Sequence, residues 1–203
     1  MKVCVYAICK NESQFVDRFM DSMSEADYVC VLDTGSSDDT VKKLRARGAI
    51  VGETVVSPWR FDTARNESLG LIPADADICC AIDLDEQFHP GWRAALERAW
   101  QPDTTRARYR YTWSFRPDGS EGMVFWADKI HKNGCYRWAS PVHETLAYTG
   151  EGAERFVDAA GVQLDHHPDE TKSRGQYLPL LELAVREDPQ NDRNCHYLGR
   201  EYM

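Results

Sequence analysis

Strand-like and helix-like segments alternate along the first part of this chain, and that alternation limits it to a few α/β architectures. "KVCVYAI" (residues 2–8) is rich in β-branched and aromatic residues and is bounded by polar ones. Phe15, Val16, Phe19, Met20 and Met23 then recur at helical spacing, behind a cap at Asn11. "YVCVLD" (28–33) reads as a second strand and "TGSSDDT" (34–40) as a loop of small and capping residues. Val41 and Leu44 lie on the next helix, which Gly48 can end. "AIVGETVV" (49–56) is a third strand. Phe61, Ala64, Ser68, Leu69 and Ile72 mark a helix, and "DICCAID" (77–83) is a fourth strand. Strands that alternate with helices imply a mostly parallel sheet covered on both faces.

The second half changes character. After a helix carrying Trp92, Leu96 and Trp100, "RARYRYTWSF" (106–115) alternates basic and aromatic residues with period two. "RPDGSEG" supplies a turn and "MVFWADKI" (123–130) returns, as expected of an antiparallel extension open to solvent on one face. Strand signals weaken from there to "GVQLDHH" (161–167), and the last thirty or so residues are helical again.

At 203 residues, 42% hydrophobic and 28% charged, the chain has the length and composition of one soluble domain. A net charge of -9 argues against nucleic acid as a main partner, because phosphate contacts need clustered Lys and Arg. No apolar run reaches the ~18 residues of a membrane-spanning helix. Lys10 and Asn11 interrupt the first apolar run too soon for a signal peptide. The seven cysteines show no C-x-x-C spacing, and Cys4, Cys30, Cys79 and Cys80 sit inside apolar runs. This pattern leads us to expect a reducing, cytoplasmic interior rather than a disulfide framework.

Open α/β sheets bind ligands outside the carboxyl ends of their strands. Three polar clusters fall at such ends: "ICKNE" (8–12), "DTGSSDDT" (33–40) and "DLDE" (83–86). In "CCAIDLDEQF" (79–88) a greasy run leads directly into three carboxylates, which repel one another and resist desolvation unless something needs them. On an extended strand end Asp83 and Asp85 point the same way, an arrangement that suits Mg²⁺ or Mn²⁺ bridging a diphosphate. An acidic loop facing water is the alternative. Asp33 can accept from a base or ribose, and equally can close an Asx-type turn before a helix cap at Ser37 or Asp38. "RFDTARNES" (60–68) places Arg65 near the margin of a buried helix face, where it can clamp phosphate or form a structural ion pair. "SPVHETL" (140–146) pairs His143 with Glu144, a general-base arrangement. His166, after a short strand, can complete a metal shell.

With "RFDTARNESL", "AIDLDE" and "HKNGCYRWASPVHETL" (131–146) taken in order, the chain resembles the family 2 glycosyltransferases of the GT-A fold over about residues 1–170. It looks like the branch containing bacterial peptide S-glycosyltransferases and lipopolysaccharide-core glucosyltransferases. The resemblance implies a GT-A (Rossmann-like) α/β fold: a mixed, mostly parallel sheet with helices on both faces, plus a short C-terminal helical pair. It also implies a hexosyltransferase-type inverting transfer from a nucleotide sugar, usually a UDP-sugar, assisted by Mn²⁺ or Mg²⁺ at the DxD motif. Carried over by position, Ala7, Cys9 and Glu12 frame the nucleobase, Asp33 contacts base or ribose, and Arg65 lies beside the diphosphate. Asp83 sits near ribose and metal, Asp85 is the principal metal ligand and His166 a second one. Glu144 is the expected base, with His143 as substitute. Relatives often carry an Asp straight after DxD, where this chain has Glu86.

"YLGREY" (197–202), behind a helix ending in "REDPQN", fits the core of a tetratricopeptide helix. The expected organisation is a catalytic domain over 1–170 and a helical tail over 171–203. The tail is the start of a repeat cut from a longer protein, or a short form packed on the domain. In relatives such repeats bind the acceptor or a second subunit, so a homodimer through the tail is one expectation. The acceptor is a peptide, a glycan or a lipid-linked saccharide. Two rival readings are a nucleotidyltransferase of similar fold, which would want a Gly-rich loop where "AICKNES" has none, and a non-catalytic module that binds a partner through its tail.

Overall fold

The computed structural model describes residues 1–169 and 175–203. The strand-like runs of the first half become β1 (Val3–Cys9), β2 (Tyr28–Asp33), β3 (Ile50–Glu53) and β4 (Ile78–Ala81). They pair in parallel in the order β3-β2-β1-β4. Helices α1 (Val16–Ser22), α2 (Thr40–Ala46) and α3 (Phe61–Leu69) connect them. Beyond β4 come β5 (Glu86–Phe88), α4 (Trp92–Ala99), β6 (Arg106–Thr112) and β7 (Val124–Lys132). The hairpin β8 (Tyr136–Ala139) and β9 (Thr145–Tyr148) precedes the long β10 (Phe156–His166). The eight-stranded sheet runs β3-β2-β1-β4-β7-β6-β10-β5. Strand β7 is antiparallel to both β4 and β6, β10 is parallel to β6, and β5 closes the edge antiparallel to β10. The fold is thus the mixed, mostly parallel α/β class that the sequence implies, with every antiparallel pairing of this sheet involving β7 or β10 of the second half.

Alternation along β1 explains the layering. Val3, Val5 and Ala7 pack with Phe19, Met23, Leu44, Trp92 and Leu96 beneath α1, α2 and α4. Cys4 and Tyr6 point the other way, into a cluster with Cys30, Cys79, Tyr136, Trp138 and Leu146, beneath α3 and the β8–β9 hairpin. Both faces are buried, so the strands read as continuous apolar runs. The cysteines of these runs serve as small core residues, and no disulfide links the seven.

Local signals held in part. Gly48 follows the end of α2 with φ +87°, a conformation that costs glycine little. Helix α1 starts at Val16 rather than behind Asn11. Asn11 instead adopts φ +54° and bridges two loops, its N–H donating to Ser36 Oγ (2.7 Å) while its Oδ1 accepts from Ser37 N (2.7 Å). The N-cap position of α2 is Asp39, whose side chain makes no cap bond; Asp38, one residue earlier, accepts from Thr40 N through Oδ1 at 3.0 Å. Strand β5 has no alternating pattern, and the sequence gives no sign of it.

The expected boundary at 170/171 lies outside the described residues. Beyond it, α5 (Tyr177–Glu187) and α6 (Asp192–Glu201) pack on the first domain. Leu180 and Leu181 bury against Val142, with Trp59, Phe61, Tyr177, Tyr197 and Leu198 around them. No helix among the described residues is long and apolar enough to cross a membrane.

Candidate active site at the carboxyl edge of the sheet

Strands β1, β2 and β4 run in parallel, so the polar clusters that follow them meet at one edge of the sheet. Arg65 lies at their centre. Helix α3 carries it on its inner face, only 4% exposed and stacked over Trp138 at 4.9 Å. Its Nε donates to Glu144 Oε1, and its Nη2 to Asp83 Oδ1 (2.8 Å) and Oδ2 (3.2 Å). Burial opposes charge on Arg65, but Asp83 and Glu144 more than offset this and hold the guanidinium protonated. Its third nitrogen, Nη1, is buried without a hydrogen-bond partner. A buried, charged donor left unpaired carries a substantial desolvation cost, which an anionic ligand would relieve.

Asp83 and Asp85 hold different partners. A turn replaces the expected extended end: Glu86 N donates to Asp83 O (3.0 Å), and Glu86 Oε2 accepts from Asp83 N (2.8 Å). This turn swings Asp83 towards Arg65 and towards Lys129 Nζ (3.4 Å), which lies on the neighbouring strand β7. Burial pushes the Asp83 carboxyl up, but Arg65 and Lys129 together bring it well below the usual carboxylate range. Glu86 is itself buried, and its Oε1 accepts from Tyr111 OH at 2.6 Å. Desolvation raises its pKa against the pull of Lys129. The longer side chain after the DxD-type motif therefore braces the turn from beneath.

Asp85 has a different partner, with Oδ2 at 3.4 Å from His166 Nε2. His166 ends β10, stacks on Trp113 (4.5 Å, 25°) and bonds the Trp113 carbonyl through Nδ1 (3.0 Å). Nδ1 donates to the carbonyl and Nε2 faces Asp85, whose carboxylate raises the imidazole pKa against burial and favours the doubly protonated ring. A bound cation would take the place of the Nε2 proton, with Nδ1 still held by the carbonyl. Adjacent ligands on an octahedral Mg²⁺-type ion stand roughly 3 Å apart, so the pair fits one hard cation with substrate oxygens and water completing its shell. Among the described residues no three His, Cys, Asp or Glu side chains gather as a ready-made metal cluster. Asp85 and His166 form one carboxylate–imidazole pair at this edge, while Asp83 pairs with Arg65 and Lys129.

Asp33 ends β2 and closes an Asx-type turn. It accepts from Gly35 N (3.0 Å), Ser36 N (2.8 Å), the Ser36 hydroxyl and the Cys9 thiol (3.5 Å). Its acceptor capacity is spent on the loop. Ala7 and Cys9 are buried on β1 beside it, and Glu12 N donates to Thr40 Oγ1 at 2.8 Å. The β1–α1 and β2–α2 loops thus form one braced wall.

His143 points away from Asp83 and Asp85. Its backbone is at φ +51°, its ring stacks on Tyr197 of α6 (3.9 Å, 20°), and its carbonyl accepts from Arg193. Two cations were missed in the sequence. Lys129 lies within β7, after the aromatic pair Phe125 and Trp126. Arg18 sits inside the apolar stripe of α1, its guanidinium over Phe15 at 5.1 Å, with Nε and Nη2 buried and unpartnered. Burial lowers its pKa, and the nearby Asp85 opposes that shift.

No protein-family model matches the chain. Among solved structures it is similar to glucosyl-3-phosphoglycerate synthase from Mycobacterium tuberculosis in complex with Mn²⁺, UDP and glucosyl-3-phosphoglycerate. The identity is 26% and the TM-score 0.45, over 54% of this chain and 44% of the synthase. The same figures hold for that synthase with Mn²⁺, UDP-glucose and phosphoglyceric acid. This chain spans less than half the length of the synthase. A mycobacterial protein of solved structure is similar over 88% of this chain and 70% of its own, at 15% identity and a TM-score of 0.56. That second likeness is one of fold.

Proposed function

We propose that the chain is a metal-assisted glycosyltransferase of the GT-A, family 2 type. It would move a sugar with inversion from a nucleotide diphosphate donor, a UDP-sugar, to a hydroxyl or thiol acceptor. One observation carries this reading: a buried guanidinium with an unsatisfied N–H lies beside the carboxylate–imidazole pair of the same sheet edge. Such a site suits a ligand that is both anionic and metal-binding, which describes a diphosphate.

In this reading the loops braced by Asp33 and Asn11 frame the base and ribose, with Ala7, Cys9 and Glu12 forming the floor. Arg65 offers Nη1 to the diphosphate, while Asp83 and Glu144 hold its other two nitrogens in place. Asp85 and His166 would hold Mn²⁺ or Mg²⁺, which supplies Lewis-acid neutralisation of the leaving diphosphate. Glu144 is the base: Arg65 takes Oε1 and leaves Oε2 to the acceptor proton, so that a third group orients the base. His143, turned to the tail, supports the Glu144 loop.

Thermal unfolding against UDP, GDP, TDP and CMP, with and without Mn²⁺, tests the reading. One diphosphate at 100 times its dissociation constant should add about 2.7 kcal/mol. The gain should need metal and vanish in Asp85→Ala. A flat response to every nucleotide would overturn the proposal.

A further inference from the structure

The face of β6, β7 and β10 that carries Arg106 and Arg108 is buried at Arg106 and opens to solvent at Arg108. Both ladders of β6 are irregular there: its register with β7 shifts between Ala107 and Tyr109, and its register with β10 shifts between Asp158 and Gln163. Such irregularities re-aim side chains and bend the sheet. Where they meet, Arg108, Trp126, Asp128 and Asp158 line a cavity of about 290 Å³. Trp126 is 52% exposed, an unusual state for so large an apolar group unless its face is used.

The charges around this indole are paired, with Arg106 shared between Asp128 and Glu154 (3.3 Å). Arg106 Nη2 lies 3.1 Å from Asp128 Oδ1, and Arg108 Nη1 lies 3.8 Å from Asp158 Oδ1. Arg108 is further steadied over the Phe156 ring at 4.7 Å. The lining itself holds one guanidinium and two carboxylates, a balance that disfavours an anion and makes a cation the rival ligand to exclude. These groups present a ring of paired donors and acceptors at the edge of an aromatic plate. A pyranose has the matching chemistry, with an apolar C–H face for the indole and equatorial hydroxyls that both donate and accept. The volume lies at the lower end for small-molecule sites, room for a ring or two.

We propose that this cavity is a saccharide-binding site. Asp128 immediately precedes Lys129, which contacts Asp83, so a bound glycan would lie one residue along β7 from the donor site. Its assignment as the acceptor subsite, with a glycan as acceptor, rests on the glycosyltransferase reading; saccharide binding itself does not.

The test is ligand-observed NMR and calorimetry with maltotriose, cellotriose and chitotriose, with tetramethylammonium as a cationic control. The wild-type chain should bind at least one trisaccharide. Trp126→Ala should weaken that binding about ten-fold, as expected for loss of an aromatic stack. Asp158→Asn should weaken it too, with thermal stability unchanged in both variants. No binding by the wild type, equal binding by both variants, or preference for the ammonium ion would overturn the proposal. The UDP–Mn²⁺ stability measurement separates the two ideas. Saccharide binding without nucleotide binding would sink the donor reading alone, and the reverse would sink this site alone.

Discussion

Arg65 and Glu144 form an ion pair inside the site, guanidinium Nε to carboxylate Oε1, and the same guanidinium holds Asp83 through Nη2. Removing one partner of a buried pair strands the other, a loss of about 3–5 kcal/mol. Asp83 keeps some water contact, so Arg65→Ala should cost about 3 kcal/mol in urea unfolding. Arg65→Lys should recover little of it, because an ammonium cannot span two carboxylates as the planar fork does. Full stability of Arg65→Lys would show that the fork geometry is unimportant. Glu144→Gln keeps an acceptor for Nε while removing the base. It should lower kcat by at least about 100-fold with nucleotide binding retained.

Asp83 and Asp85 hold different partners, Arg65 and Lys129 against His166, and substitution should separate their roles. Asp85→Asn and His166→Gln should each abolish most of the Mn²⁺-dependent stabilisation by UDP, as EDTA should for the unaltered chain. Asp83→Asn should lower stability through Arg65 and Lys129 yet leave more of the Mn²⁺ response. Equal loss of the metal response in Asp83→Asn and Asp85→Asn would mean that both carboxylates reach the ion.

The first half of the fold was legible because its strands are buried on both faces, so that apolar runs such as "VCVYAIC" carry the signal directly. The acidic cluster was legible for the same reason, since charges directly after such a run stand out. Side-chain direction was not. Whether Asp83 and Asp85 point together depends on the turn that Glu86 closes and on Lys129, which arrives on a strand forty-six residues later. Nothing local announces that β7 inserts between β4 and β6. Arg18 was hidden because a cation within an apolar stripe reads as an exposed helix margin.

The C-terminal helices grip the loop that carries Glu144. Tyr197 stacks on His143, Arg193 donates to its carbonyl, and Arg60 bonds Glu187 through both terminal nitrogens (2.5 and 3.0 Å). Tyr197→Ala should cost about 1 kcal/mol, the scale of one aromatic pair. Because His143 adjoins Glu144, it should also lower kcat more than it weakens nucleotide binding. Tyr197→Phe, which keeps the stack, should restore both. An unchanged kcat in Tyr197→Ala would mean that the tail packs on the domain without holding the catalytic loop.

His131 supplies a pH dependence from beneath the site, through Tyr6 and the Trp138 indole on which Arg65 stacks. It is buried between Tyr6 and Tyr136, and burial pulls its pKa down from the ordinary value to about 4. Trp138 Nε1–H donates to Tyr6 OH (3.0 Å), and the Tyr6 hydroxyl meets His131 Nε2 at 2.8 Å. The other ring nitrogen, Nδ1, meets the Lys132 carbonyl at 3.0 Å. The neutral tautomer with its proton on Nδ1 satisfies every member of this chain, so Nε2 must accept from tyrosine. In the unfolded chain the imidazole takes a proton near pH 6.5, about two and a half units higher. Between the two values the unfolded state binds the extra proton, so stability falls as pH drops from about 6.5 to about 4. The full contribution is on the order of 3 kcal/mol. Urea unfolding from pH 7.5 to 4.5 should show this slope, and His131→Gln, whose amide takes up no proton, should flatten it. The same slope in the variant would assign the acid sensitivity to the carboxylates instead.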